Sequence, residues 1–393
     1  MSPAPPPDRE GHDGRPAVLI VGGGVAGLEA ALALRAGGYG RVAVELLAPD
    51  ERFIYRPFSV VEAFGGGRTW SHDLAALVAD AGAAYRRDAL RAVDRDRRRV
   101  LTEGGADLPY DALLLTIGSR RVPAIPGAVT FAGPEDVGPL REVLADLESG
   151  AAESVVFAVP PGLAWPLPLY ELALMTRTYL RRRGVEPRID IVTPESQPVG
   201  HFGAQPSADM RALLDEYDIG FRTGYPYRFG GGMLQLVPED SVPADRVVAL
   251  AAHEGPRIEG VPADPRGFLP VDRHCAVQGA PDVWAAGDAT DFPIKQGGVA
   301  AQQADAAVSA ILHRFGVIEE PTPFRPVLRG ILVGADRPQH LRGEPTGGRG
   351  DPPAASATAL WWPPAKVAGR HLAPFLAAHG APALPHEPEE DGP

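Results

Sequence analysis

Three glycines carry the clearest chemical signal in the chain. Gly22, Gly24 and Gly27, within VLIVGGGVAGLEAALALR, fall on the spacing G-x-G-x-x-G. Four apolar β-formers, Val18 to Val21, precede them, and good helix formers run from Val25 to a stop at Gly37-Gly38. In that strand-turn-helix setting each glycine has a mechanical task. Gly22 makes the tight turn, Gly24 lets backbone approach a pyrophosphate, and Gly27 lets helix and strand pack closely. The N–H groups at the helix start, around Val25 and Ala26, add partial positive charge toward the phosphates. A dinucleotide is the expected ligand, with a plain glycine turn as the alternative.

Other residues have chemistry of their own. Asp288 ends the buried run Val283 to Asp288, VWAAGD, and a short carboxylate at a strand end can accept a hydrogen bond from a buried sugar hydroxyl. Lys295, in DFPIKQGG, lies just beyond it, before an Ala-rich helix from Gly297 to His313. A cation or a helix N-terminus there would stabilise negative charge on a ligand; an ordinary surface lysine is the rival reading. Asp50 stands nearest the place, about 20 residues after the glycines, where an acid holds a ribose hydroxyl. A Pro-Asp turn explains it equally well, and Glu45 lies inside the strand, misplaced for the role. Glu171 reads as a proton shuttle or as a commonplace helix-start acid. The ten histidines show no metal-ligand spacing, so no metal is expected, and His201 reads as a loop histidine. Cys275 is the only cysteine, which excludes an intrachain disulfide.

The elements that must position these residues follow from length and pattern. A chain of 393 residues holds material for two or three domains. Its net charge of −12 argues against nucleic acid and against general attraction to anionic membranes. Residues 1–16, proline-rich and polar, are expected as a disordered tail rather than a signal peptide, and residues 380–393 as another. The longest uncharged run, Ser154 to Tyr170, carries four prolines, which argues against a membrane-spanning helix. A soluble, cytoplasmic protein is expected.

Arg41 to Ala48 reads as a second strand, Arg52 to Val61 as an aromatic loop, Ser71 to Ala84 as a helix, and Tyr85 to Leu108 as paired strands. Tyr110 to Ser119, YDALLLTIGS, is a buried strand ending in a small-residue turn. After a linker helix, Pro134 to Leu147, the strand-turn-helix pattern restarts at Ser154 to Val159. A helix at Tyr170 to Arg183, a strand at Ile189 to Val192, a helix at Ala208 to Tyr217 and a strand at Ile219 to Arg222 follow. This internal duplication predicts an α/β fold of two Rossmann-like, doubly wound units, the second inserted in the first. Residues 17–127 and 272–320 form the first, 128–271 the second, and 321–379 a small C-terminal region. There Val327 to Val333 reads as a strand, Gly343 to Ser356 as a flexible loop, and Trp361 onward as a short helix broken by Pro374. The second unit's turn, Pro160 to Pro168 (PPGLAWPLP), has one glycine; prolines and bulky side chains there disfavour nicotinamide binding.

Taken together, the glycine fingerprint, the Thr-Ile-Gly turn and VWAAGD with its Ala-rich helix resemble the two-dinucleotide-domain FAD oxidoreductases, from residue 16 to 320. The resemblance implies FAD as cofactor, with Gly287 and Asp288 at the ribityl chain and Arg56 and Pro57 in a loop over the flavin. It further implies Thr116 and Gly118 where the chain passes the cofactor, and Gly298 and Val299 at the start of the Ala-rich helix. The segment Trp165 to Glu171, WPLPLYE, resembles one in sulfide:quinone oxidoreductases and flavocytochrome sulfide dehydrogenases; type II NADH:quinone dehydrogenases are further relatives. The tail, LRGILVG and LWWPPAKVAGRHLAPFL, resembles actinobacterial FAD-dependent oxidoreductases. Trp165 stands where the sulfide dehydrogenases carry a redox-active cysteine, and Leu328 to Val333 holds no second one.

On this resemblance the expected function is electron transfer from an unidentified donor through FAD to a quinone or other acceptor, without a redox dithiol. An NAD(P)H-dependent dehydrogenase and a non-catalytic flavin-binding scaffold or sensor are the alternatives. Lys295, Trp165 and Glu171 are the candidate catalytic residues; Trp165 either stacks a planar acceptor or packs the core. Gln302 and Gln303 read either as lining an acceptor pocket, because the quinone-reducing relatives use that helix, or, as is commoner, as plain polar positions on a helix. Trp361-Trp362-Pro363-Pro364 is expected to pack the tail or join a homodimer, with weak peripheral membrane contact if exposed.

Overall fold

Val18 to Val21 are buried to 2 % exposure or less, because alternate residues of their strand enter two separate cores. In the computed structural model, which describes residues 14–335, 338–344 and 353–382, Val18 and Ile20 face one core and Leu19 and Val21 the other. This strand, β1 (Ala17–Val21), feeds α1 (Val25–Gly38), and β2 (Ala43–Ala48), β3 (Ala84–Arg87) and β4 (Ala112–Leu115) complete the first half of the unit. Val18 pairs in parallel register with Val44 on one side and Ala112 on the other.

The second unit comprises β5 (Val129–Phe131), β6 (Ser154–Ala158), α2 (Leu167–Arg181), β7 (Arg188–Thr193), β8 (Ile219–Thr223) and β9 (Arg246–Leu250). The chain then returns to the first sheet through β10 (Val283–Ala285) and α3 (Gly297–Arg314). The two parallel sheets run β10-β4-β1-β2-β3 and β5-β9-β6-β7-β8, the same winding about β1 and β6, with the second sheet inserted between β4 and β10. Two short antiparallel strands, Arg120–Val122 and Ala252–Glu254, join the units as a connector. A C-terminal sheet of β11 (Leu328–Leu332), β12 (Gln339–Gly343) and β13 (Ala354–Ser356) precedes α4 (Leu372–Ala378).

Several expected elements move. The helix expected over Ser71 to Ala84 shrinks to Leu74–Asp80, because Ser71–Asp73 pairs with Arg52–Ile54 and Asp73 caps the helix by accepting from the Ala76 N–H at 2.7 Å. Ala84–Arg87 joins the parallel sheet, leaving three antiparallel strands from Leu90 to Pro109. Pro374 does not break the last helix. It lies in the first turn of α4, where a missing N–H removes no intrahelical bond. The loop expected from Gly343 to Ser356 contains β13, paired to β12; residues 345–352 lie outside the described residues, as do residues 1–13 and 383–393 of the expected tails.

Candidate active site

The turns after β1, β4 and β10 all open at the carboxyl ends of the first sheet, where ligands of doubly wound folds bind. With the start of α3 and the facing edge of the second unit they enclose a cavity of about 950 Å³. Gly22, Gly24, Val25 and Ala26 line it, as do Asp50, Arg56, Pro57, Thr116, Gly118, Gly287 and Asp288. All three candidate catalytic residues, Lys295, Trp165 and Glu171, are on its wall as well. Residues spread over the whole chain thus meet in one place.

The glycines differ in why they must be glycine. Gly22 has φ +116°, and a Cβ there would lie 2.5 Å from the Thr116 carbonyl oxygen. Gly27 is the close-packing glycine, since a Cβ would stand 2.0 Å from the Gly22 oxygen. Gly24 has neither need. Its φ is −83° and a Cβ would meet nothing within 4 Å, so what its missing side chain leaves free is the cavity in front of it. That cradle suits a phosphate group, and the Thr116 hydroxyl stiffens its floor by donating to the Val21 and Gly22 carbonyls at 2.9 and 3.0 Å.

Two expected contacts are corrected at the start of α3. Gly298 and Val299 are buried behind the wall, while Gly297 and Ala300 line the cavity, because a helix turns one face inward at a spacing of three. The Val299 N–H is taken by the Gln296 side chain, which caps the helix at 2.7 Å. Gln302 and Gln303 do not line the cavity either. Gln302 bridges to Val327, accepting from its N–H and donating to its carbonyl at 2.9 Å each. Gln303 is buried and accepts from the Gly287 N–H at 2.8 Å, which fixes the turn that presents Asp288.

Charge gathers around Asp288. The Lys295 ammonium donates to the Thr290 carbonyl at 2.5 Å and sits 3.9 Å from the centre of the Phe268 ring. Burial pushes Lys295 down to about 8, with Asp288 pulling in the opposite direction. His253 and Arg121, neither evident from the sequence, share the wall. The His253 Nδ1 is 2.7 Å from the Ser119 hydroxyl, and burial holds its pKa below the ordinary histidine value against the pull of Asp288. These residues come from the connector strands, whose pairing of Arg121 with His253 no local pattern announces. Asp50 is exposed at the outer end of the cavity, and Arg56 pairs with Glu135 at 3.1 Å.

Glu171 and Lys366 form a buried pair, Nζ to Oε1 2.5 Å, with side-chain exposures of 4 % and 5 %. Lys366 also donates to the Pro57 carbonyl at 3.2 Å, and Glu171 Oε1 accepts from the Val333 N–H at 3.0 Å. Glu171 is therefore no commonplace helix-start acid; burial raises its carboxyl above the ordinary value, opposed by the Lys366 charge. The partner was hidden from the sequence by a separation of 195 positions. Of the two readings of Trp165, the packing one is seen directly, on Phe202 at a centroid distance of 5.6 Å, and the side chain also stands on the wall. Cys275 is fully buried away from the wall, and burial drives its thiol pKa well up.

Comparison with known proteins identifies this arrangement. Residues 16–155 match the family described as pyridine nucleotide-disulphide oxidoreductase. An NADH dehydrogenase-like protein of Mycobacterium tuberculosis is 31% identical over 298 residues, spanning 69% of this chain and 72% of that protein. A sulfide-quinone reductase of Aquifex aeolicus is 25% identical over 206 residues, 51% of this chain and 47% of its own length. The crystal structure of the sulfide:quinone oxidoreductase from the same bacterium superposes with a TM-score of 0.78 at 20% identity, covering 87% of this chain and 86% of that one. With a cavity lined by the glycine turn and a relative of this closeness, the chain belongs to the pyridine nucleotide-disulphide oxidoreductase family and is an FAD-dependent oxidoreductase.

Proposed function

We propose that the protein passes electrons from a donor other than NAD(P)H to a quinone or comparable acceptor, without a redox dithiol. The observation that carries this reading is the state of the second unit's nucleotide turn. In the first unit three residues, 22–24, separate β1 from α1; in the second, eight residues, 159–166, separate β6 from α2. Pro166 and Pro168 flank the start of α2, removing N–H donors that a pyrophosphate would use. Glu195, just beyond β7, occupies the place of a ribose-binding acid. Its carboxylate is engaged internally, by the Tyr170 hydroxyl at 2.7 Å, the Thr193 hydroxyl at 3.1 Å and the Gly200 N–H at 3.3 Å.

FAD, when bound, supplies the electron chemistry. Gly22 and Gly24 with the start of α1 would hold its pyrophosphate, Asp50 a ribose hydroxyl, and Asp288 the ribityl chain. Arg56 and Pro57 would cover it, with Thr116 and Gly118 beneath. Trp165 offers a flat wall for a planar acceptor, in keeping with the quinone named for the sulfide-quinone reductase relative. The Lys366 ammonium donates to Glu171 Oε1 at that wall, placed to serve an acceptor that takes up protons with its electrons. No helix among the described residues is long and apolar enough to cross a membrane. Trp362, 86% exposed, gives the tail a surface for peripheral contact.

Anaerobic stopped-flow mixing tests the donor. NADH and NADPH should bleach the flavin slowly, while a donor panel should contain a compound that bleaches it fast and supports quinone reduction. Rapid bleaching by NADH would favour the dehydrogenase reading that the Mycobacterium relative's name suggests, and no turnover with any donor would leave a scaffold. Sulfide should reduce the flavin slowly, and Cys275→Ser should keep turnover with the true donor, since a buried thiol with a raised pKa is a poor nucleophile. Fast sulfide-dependent turnover that disappears in this variant would reverse that conclusion.

Lys295 should tune the potential without holding the cofactor. Lys295→Met should retain FAD and lower its midpoint potential by roughly 30 mV, about 1.4 kcal/mol for two electrons. The sign follows from charge: an ammonium nearby favours the reduced, more negative cofactor. Because wild-type Lys295 loses its proton near pH 8, the difference between the two proteins should close as pH rises through that value. Potentials that coincide at pH 6 would mark Lys295 as a bystander.

A further inference from the structure

We infer that Glu29 is a positioning residue that holds the C-terminal strap, residues 366–372, and thereby seats Lys366 on the cavity wall. Glu29 is fully buried on α1, one helical turn beyond Val25. A carboxylate in such a place is costly unless its oxygens are hydrogen-bonded. Its Oε1 accepts from the His371 N–H at 2.8 Å and its Oε2 from the Leu372 N–H at 2.6 Å. Gly369 lets the strap come this close, since a Cβ there would lie 2.6 Å from Oε2. Asp305 and His371 bring ligand atoms within 4.8 Å of the same carboxylate, but both Glu29 oxygens already accept backbone N–H groups, so the cluster reads as a clasp.

The strap is pinned a second time by the first unit. The Val367 N–H donates to the hydroxyl of buried Tyr55 at 2.9 Å. Lys366 is the residue immediately before this pin, and its ammonium reaches Glu171 and the Pro57 carbonyl. A long lysine side chain loses rotamer freedom when it is held in one geometry. Two backbone anchors that fix where its stem begins reduce what remains to be ordered. Glu29 thus connects the helix that starts at the glycine cradle to the one lysine of the C-terminal region. The functional weight of this connection rests on the proposed reading, in which Lys366 and Glu171 serve the acceptor.

The chain contains only two lysines, Lys295 and Lys366, which makes amine footprinting a direct test. The full-length FAD-loaded protein is treated with an N-hydroxysuccinimide ester, and acylation of each lysine is followed by mass spectrometry. Gly369→Ala pushes the strap off Glu29 without altering α1. Glu29→Gln leaves one accepting oxygen and turns an amide N–H toward the other donor. Both should accelerate acylation of Lys366 roughly tenfold or more, as expected for loss of charge-assisted hydrogen bonds, with Lys295 unchanged and FAD retained. Both should also shift the flavin midpoint potential in the direction that Lys366→Met does. Protection of Lys366 unchanged in both variants overturns the inference, and so does exposure of Lys366 with a wild-type potential when Lys366→Met itself shifts it. If Lys366→Met leaves potential and turnover untouched, the role of Lys366 in the proposed function falls, and acylation alone decides whether Glu29 holds the strap.

Discussion

Gly24→Val should give a folded protein that carries no FAD. The substitution is permitted by the backbone, whose φ of −83° suits any residue, and by the absence of any atom within 4 Å of the new Cβ. The branched side chain would instead fill the cradle at the helix start, the space a pyrophosphate needs to reach the N–H groups. Affinity for FAD should fall by roughly a hundredfold or more, about 3 kcal/mol, while apo thermal stability stays near that of the wild-type apo protein. Gly27→Val makes the contrast. Its Cβ would lie 2.0 Å from the Gly22 oxygen, so this variant should fail to fold stably, with or without cofactor. Visible flavin absorbance after reconstitution and calorimetry of the apo forms separate the two outcomes. A yellow Gly24→Val protein with wild-type FAD content would remove the cradle from the site.

Lys366→Met should be the most damaging substitution on the acceptor side. It leaves Glu171 buried without its ion partner, a change that typically costs about 3–5 kcal/mol. Turnover with the proposed quinone acceptor should fall as well, while FAD content is retained. The stability loss should depend on pH with a defined sign. Burial already raises the Glu171 carboxyl above its unfolded value, and removing the ammonium raises it further. Between the unfolded and folded pKa the native state binds more protons, so the stability of the variant should fall as pH rises through that window and recover in acid. Glu171→Gln in the same chain removes the buried charge and should restore much of the stability at neutral pH without restoring turnover. A Lys366→Met protein whose unfolding midpoint is unchanged at pH 8 would show that the pair contributes nothing.

The sequence alone identified the first unit and its glycine cradle because both are local. Apolar β-formers, a G-x-G-x-x-G turn and a helix lie within twenty residues, and hydrophobic period and turn chemistry act at that range. The duplicated unit was legible for the same reason, as was the divergence of its turn, with prolines in place of glycines from Pro160 to Pro168. Asp288, expected at the end of a strand over Val283 to Asp288, stands instead in the turn that follows β10, where it lines the cavity. Helix phase was harder to read, because the side of α3 that faces the cavity depends on how it docks; Gly297 and Ala300 line the wall while Gly298 and Val299 do not. The structure also decided what Gln302 and Gln303 do, as a polar side chain on a helix can bond across to a strand or support a turn with no change in local pattern.

What only the tertiary structure decided are the pairings between distant segments. Lys366 was one of two lysines in the sequence and Glu171 one acid among many, yet the fold buries them together as an ion pair. His253 and Arg121 meet through a two-stranded connector, and Glu29 meets the strap through a contact spanning more than three hundred positions. Such contacts leave no trace in periodicity or spacing. They arise because two units, one inserted in the other, and a C-terminal region bury polar groups against one another, and each buried group must then find its partner wherever the fold brings one.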